Sequence, residues 1–158
     1  MNDKSAKYTF DEIKIGLTKH FQITITESMV DDFAKLTGDF SPIHMDGDYA
    51  STTTFQKRVV HGMLLASFLS KIDGMYLPGK HALYFSQSLD FRYPCFLGDT
   101  ITVSSIVIDK SPSTKILKIE SKITNQDDKI ILSGLGRVIV RDDWKIWYRH
   151  WHHQHTKI

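Results

Sequence analysis

The segment that decides the fold is Gly62-Met63-Leu64-Leu65-Ala66-Ser67-Phe68-Leu69-Ser70-Lys71-Ile72. Its apolar residues fall on nearly every face of a helix, which predicts a helix that is buried on all sides. A helix of this kind has to be covered by other elements of the chain. The rest of the sequence must therefore supply an apolar surface that surrounds it.

The second half of the chain supplies this surface as β-strands. Apolar residues alternate at even spacing in residues 83–91, 101–107, 117–123 and 130–140. The turns at residues 109–113 and 125–128 are short, so we predict hairpins and antiparallel pairing. With a short strand at residues 21–25, the pattern predicts an α+β fold. Residues 1–158 would form a single domain, with an antiparallel sheet of about five strands wrapped around one long central helix. Because such a sheet has open edges, a homodimer formed by edge pairing is expected.

A shorter helix precedes the central one. Thr26 is a typical N-cap residue, and Gly38 is expected to end the helix. Between them, apolar residues recur at helical spacing: Met29, Val30, Phe33 and Leu36. Residues 39–48 then predict a loop, followed by a short helical turn at residues 49–53.

Composition and charge exclude several classes of protein. The chain has 158 residues, of which 41% are hydrophobic and 24% are charged, as is usual for one globular domain. A formal net charge of +2 gives no case for a nucleic-acid or membrane partner. The single cysteine, Cys95, cannot form an intrachain disulfide, so a cytoplasmic location is expected. The N-terminus shows no apolar run of the signal-peptide type, and the apolar stretch near residues 63–69 is too short to span a bilayer.

A second segment carries the chemistry: Gly38-Asp39-Phe40-Ser41-Pro42-Ile43-His44. A carboxylate can take a proton from water, and an imidazole can give or take one near neutral pH. The N–H groups at the start of the central helix, at Gly62, favour negative charge. Together these groups suit chemistry beside a carbonyl. A simpler interpretation exists, because aspartate after a helix-ending glycine is common in turns and Gly62 could serve helix packing alone.

Several motifs, taken in order, resemble one family. Residues 38–46 match the pattern Gly-Asp-x-Asn-Pro-aliphatic-His followed by an acidic position, except that Ser41 replaces the asparagine. Further matches lie at residues 60–67, 77–79, 86–91 and 96–99. These motifs resemble the MaoC-like hydratases, and most closely the single-domain (R)-specific enoyl-CoA hydratases of the hot-dog fold. The resemblance covers about residues 26–108.

The resemblance implies reversible syn addition of water to a trans-2-enoyl-CoA, giving an (R)-3-hydroxyacyl-CoA. It implies Asp39 and His44 as the catalytic pair and the N–H of Gly62 as the oxyanion donor. Ser41 and Ser70 take water-positioning or supporting roles. Serine keeps a donor and an acceptor but is shorter than asparagine, so Ser41 changes how water can be placed. The substrate is an acyl-CoA thioester, of which coenzyme A is a part, and neither a metal nor another cofactor is implied.

Two other function classes stay open. A thioesterase on the same architecture would use an acid to activate water against the thioester carbonyl, although the Asp39–His44 pair suits hydration at C3 better. A non-catalytic acyl-binding module would explain Ser41 as decay of the site. The sequence leaves the acyl chain length, the pathway and the direction of flux undetermined. Basic residues are available for the coenzyme A phosphates: Lys57, Arg58, Lys80 and Arg92.

The C-terminal residues 143–158 form an additional tail rich in tryptophan and histidine that lies outside the resemblance. Its histidines invite a metal-binding interpretation. Their spacing fits no closed tetrahedral site, so packing of the aromatic residues on the domain or on a partner chain is the preferred hypothesis.

Overall fold

The computed structural model describes residues 4–141, so the tail at residues 143–158 lies outside the described residues. The elements in chain order are β1 (Thr18–Thr24), α1 (Glu27–Thr37), α2 (Pro42–Met45), α3 (Gly47–Ser51), α4 (Gly62–Met75), β2 (Ala82–Gln87), β3 (Asp90–Phe91), β4 (Thr100–Ser111), β5 (Ile116–Thr124) and β6 (Ile130–Val140). No helix between residues 4 and 141 is both long and apolar enough to cross a membrane.

All the strands join one antiparallel sheet, in the order β1-β4-β5-β6-β2, with the short β3 also paired to β6. This confirms the predicted α+β hot-dog architecture, with six strands where about five were expected. The additional strand arises because residues 83–91 are not continuous. A register shift between Tyr84 and Ser86 and a break after Gln87 divide them into β2 and β3.

Helix α4 packs its apolar side against the inner face of this sheet. Leu65, Leu69 and Ile72 are almost fully buried, as are the sheet residues Val103 and Ile123 that belong to the same cluster. The expectation that α4 is buried on all sides is wrong, since Met63 is 59% exposed and Ser67 and Ser70 are also exposed. One curved sheet covers only part of a helix, and the remaining face of α4 stays open.

The predicted ends of α1 are confirmed, whereas the loop predicted at residues 39–48 needs correction. Thr26 caps α1 by accepting a hydrogen bond from the N–H of Met29, and Gly38 ends it in the left-handed conformation at φ 79°. Residues 39–48 are not simply a loop, because they contain α2 and the start of α3. Pro42 occupies the first turn of α2, where its missing N–H costs nothing. The predicted turn at residues 109–113 is shorter than expected, because β4 continues to Ser111.

Candidate active site

A cavity of about 610 Å³ opens beside the start of α4. Three of the predicted site residues, Asp39, His44 and Gly62, all line it. The other lining residues are mainly apolar or aromatic: Phe55, Val59, Val60, His61, Met63, Leu65, Phe91, Arg92, Tyr93, Pro94, Cys95 and Ile131. The structure thus brings residues from the α1–α2 connection and from α4 to one mostly apolar cavity of the size that small-molecule ligands occupy.

Asp39 reaches the cavity because α1 ends sharply. Gly38 turns the chain at the end of the helix, and the N–H of Asp39 then donates to Oγ1 of Thr37 at 3.3 Å. The Oδ1 atom of Asp39 accepts a hydrogen bond from the N–H of Ser41 at 3.2 Å. The side chain of Asp39 is 50% exposed, so its carboxylate oxygens can accept further hydrogen bonds from water.

His44 lies in α2 with one ring nitrogen occupied. Its Nδ1 atom is 2.7 Å from the carbonyl oxygen of Val59. Because a carbonyl can only accept, Nδ1 carries the proton and donates it. In the neutral ring, Nε2 is then the unprotonated atom, and it is available as an acceptor toward the cavity. The fold thereby presets the tautomer that a general base requires.

Arg58 also holds the short helix α2 in place. Its side chain is only 13% exposed, and its Nε donates to the carbonyl oxygen of His44 at 2.6 Å. The rest of the guanidinium binds two carboxylates of α1, those of Glu27 and Asp31. The sequence analysis named Arg58 as one residue available for the coenzyme A phosphates. In the structure its guanidinium instead binds protein groups, namely the His44 carbonyl and these two carboxylates. Its role in holding His44 was missed.

His61 is a second histidine of the cavity wall, and it is buried, with only 2% exposure. Its ring centroid lies 4.0 Å from that of His44, and its Nε2 atom is 2.9 Å from the carbonyl oxygen of Asp39. Ligand-type atoms of Asp39, His44 and His61 all lie within 4.8 Å of one another. Two imidazoles and one carboxylate at this separation could also hold a divalent transition-metal ion.

Gly62 begins α4, and its N–H has no hydrogen-bond acceptor within residues 4–141. His61, at the N-cap position, provides no side-chain cap. A Cβ atom on Gly62 would lie 2.7 Å from the ring of Phe91, so a larger residue would require Phe91 to move. The glycine therefore lets the aromatic wall approach a helix start that carries an unpaired donor.

Ser41 and Ser70 lie outside this cavity wall. Ser41 precedes α2 and its side chain makes no capping hydrogen bond. Ser70 lies on the exposed face of α4 and lines a separate cavity of about 310 Å³ with Ser67, Tyr84 and Gln87. The structure therefore brings neither serine to the Asp39–His44 cavity wall.

Cys95 lines the cavity but is unsuited to nucleophilic chemistry. Burial, reinforced by the neighbouring carboxylate of Asp99, raises the pKa of the Cys95 thiol to about 12. The thiolate is the reactive form, and at neutral pH it is therefore essentially absent.

Comparison with known proteins identifies the family. The family model described as the MaoC like domain matches residues 11–128. The chain belongs to the MaoC-like family. One relative, the (R)-specific enoyl-CoA hydratase of Rhodospirillum rubrum, is 39% identical over 131 residues, which is 83% of this chain and 90% of that protein.

Solved structures of two hydratases are similar to this chain. The (R)-hydratase from Aeromonas caviae is 34% identical, with a TM-score of 0.80 over 82% of this chain and 98% of that one. An R-hydratase from Pseudomonas aeruginosa, in the unliganded form, is 29% identical, with a TM-score of 0.83 over 88% of this chain and 89% of that one.

The substitution Ser41→Asn tests the departure from the family motif. If the shorter side chain leaves the reacting water poorly held, restoring the amide should raise kcat for crotonyl-CoA hydration about 3-fold to 10-fold with little change in KM. Steady-state kinetics on both proteins would measure this. An unchanged kcat would mean that water placement does not depend on residue 41.

Proposed function

We propose that this protein is an (R)-specific enoyl-CoA hydratase, which adds water reversibly and with syn geometry to a trans-2-enoyl-CoA to give an (R)-3-hydroxyacyl-CoA. The observation that carries the proposal is the placement of Asp39 and His44 on one cavity wall, with the Nδ1 of His44 occupied by the carbonyl of Val59. The named relatives in Rhodospirillum rubrum and Aeromonas caviae support it.

The chemistry follows from the free atoms of the pair. Water bound between Asp39 and His44 donates one hydrogen bond to the carboxylate and the other to Nε2 of His44. As its oxygen attacks C3 of the enoyl group, one proton passes to the pair, and the C2–C3 π electrons move toward C2 and the thioester. The pair then returns a proton to C2 on the same face, so that OH and H are added from one side. General acid–base assistance of this kind is typically worth about 10²–10⁴ in rate.

Negative charge develops on the thioester oxygen during attack, and the free N–H of Gly62 is the proposed donor to it. The start of α4 adds the positive end of a helix dipole to this hydrogen bond. A donor aimed at developing charge typically lowers the barrier by about 3–4 kcal/mol. In this mechanism protein groups perform every step, so we propose that the activity needs no metal or other cofactor.

We also propose that the protein is a cytoplasmic homodimer. Strand β2 is an edge of the sheet with Tyr84 and Phe85 exposed, and it lies beside the open face of α4 that carries Met63. Pairing of this edge in two copies would cover these apolar side chains. The free, buried Cys95 fits a reducing compartment. Sedimentation analysis of the full chain should give twice the monomer mass of 18.2 kDa.

The test of function is an assay of the full chain with crotonyl-CoA. We expect loss of enoyl absorbance without release of free thiol, and an unchanged rate in the presence of EDTA. In the reverse direction, (R)-3-hydroxybutyryl-CoA should be dehydrated and the (S) isomer should not. Release of free thiol would instead indicate a thioesterase. Binding without either reaction would indicate an acyl-binding module, and loss of activity with EDTA would contradict the metal-free mechanism.

A further inference from the structure

His61 is a buried polar residue with an incomplete set of hydrogen bonds. A buried polar atom without a partner lowers the stability of a protein, so the presence of His61 at this position needs an explanation. It is 2% exposed, and its Nδ1 atom has no hydrogen-bond partner within residues 4–141. It occupies the N-cap position of α4, yet its side chain does not cap that helix. Helix formation therefore does not explain this residue.

The side chain of His61 donates a hydrogen bond to the backbone of Asp39. Its Nε2 atom lies 2.9 Å from the Asp39 carbonyl oxygen, whereas it is 3.9 Å from the Oδ2 atom of the same residue. The carbonyl can only accept, so Nε2 carries the proton, and in the neutral ring Nδ1 bears the lone pair. The hydrogen bond thus holds the main chain of Asp39 and leaves its carboxylate free.

This bond is the shortest of those that hold Asp39. The two bonds within the loop, to Thr37 and from Ser41, measure 3.3 and 3.2 Å. Half of the Asp39 side chain is exposed, so little packing restrains it. The ring of His61 is itself fixed between Phe33 of α1 and His44 of α2, with centroid separations of 5.1 and 4.0 Å.

Residues 58–61 together hold both Asp39 and His44 in place. Arg58 holds the carbonyl of His44, Val59 holds its Nδ1, and His61 holds the carbonyl of Asp39. One short segment immediately before α4 therefore fastens both members of the acid–base pair. Without His61, His44 would remain anchored while Asp39 would lose its link to that segment.

We propose that His61 is a positioning residue, whose Nε2–H bond to the Asp39 carbonyl sets the distance between the Asp39 carboxylate and the water held by His44. This inference rests on the proposed function. Errors of about 1 Å in the position of reacting groups can cost about 10² in rate. Loss of the bond should therefore lower kcat, while substrate binding in the largely apolar cavity is preserved.

Two variants of His61 separate positioning from packing. His61→Leu fills similar space without a donor, and His61→Gln retains an amide N–H that can reach the Asp39 carbonyl. We expect His61→Leu to lower kcat for crotonyl-CoA about 10-fold to 100-fold with KM within about 2-fold, and His61→Gln to recover to within about 3-fold of the wild type. Thermal unfolding of both variants would show whether they remain folded. Equal losses in the two variants, an effect confined to KM, or no loss at all would overturn the inference.

A measurement without substrate keeps this inference separate from the proposed function. Nitrogen-15 NMR of the wild-type chain at neutral pH should show the Nε2–H tautomer for His61 and the Nδ1–H tautomer for His44. A His61 ring protonated only at Nδ1 would contradict the proposed bond even if the protein proved to be inactive. A wild-type protein with the expected tautomers and no hydratase activity would refute the proposed function and leave the hydrogen bond established.

Discussion

Replacing His44 with alanine, or Asp39 with asparagine, is expected to lower kcat for crotonyl-CoA hydration by at least about 10²-fold. Alanine removes the Nε2 acceptor. Asparagine keeps the shape of the aspartate but removes the charge that would draw the proton from water. Because the proposed mechanism has both groups act on one water, the double variant should lose little more activity than the more damaged single variant.

Matched substitutions elsewhere give the control for this experiment. His20 on β1 and Asp127 in the β5–β6 turn are both exposed, so His20→Ala and Asp127→Asn make the same chemical changes away from the cavity. These controls should retain normal kinetics, and circular dichroism should show that all four single variants are folded. Near-normal hydration rates in the Asp39 and His44 variants would refute the assignment of the catalytic pair.

The second large effect concerns stability and its dependence on pH. Asp73 lies in α4, is 3% exposed, and has an Oδ1 atom without a hydrogen-bond partner in the described part of the chain. Burial raises the pKa of this carboxyl from 3.8 to about 7, although a hydrogen bond with Tyr84 opposes the rise. The neutral acid is the form that suits this site.

The sign of the effect follows from the raised pKa. Between about pH 4 and pH 7 the folded protein holds a proton on Asp73 that the unfolded chain has released, so the free energy of unfolding falls as pH rises through this range. At about 1.4 kcal/mol for each pKa unit, the ionised carboxylate costs on the order of 4 kcal/mol at pH 8. Asp73→Asn removes the charge while keeping the shape. It should therefore stabilise the protein at pH 8 relative to the wild type by far more than at pH 4.

Denaturant unfolding at pH 4, 6 and 8 would measure the difference between the two proteins. The exposed Asp127→Asn variant is the control, and it should track the wild type at every pH. A difference between Asp73→Asn and the wild type that stays constant from pH 4 to pH 8 would show that Asp73 does not titrate in this range. The prediction for Asp73 would then be wrong.

Asp73 lies in a part of α4 that the sequence analysis did not predict. The apolar segment that predicted the central helix ended at Ile72. In the structure α4 continues to Met75, and the N–H groups of Tyr76 and Leu77 both bond to the carbonyl of Ile72. A polar residue that would suit a helix terminus is thereby carried into the core, which no local pattern indicates.

The site was predicted in part. The order of the motifs indicated Asp39, His44 and Gly62, and the structure brings these three to one cavity. The supporting contacts of Arg58 and Val59 were missed, because each joins residues 14 or more positions apart whose proximity depends on packing. The only available signal was the closeness of these residues to Gly62 in the chain.

The sequence by itself determined the alternating strands β4 and β5 and the two ends of α1. Alternation in β4 and β5 and the caps of α1 arise between residues a few positions apart, so periodicity and side-chain chemistry reveal them directly. The tertiary structure alone decided which face of α4 stays open, which nitrogen of His44 is free, and that His61 holds the main chain of Asp39. These features depend on contacts between segments that are distant in the chain and meet only after the sheet has closed on the helix, so no local pattern reveals them.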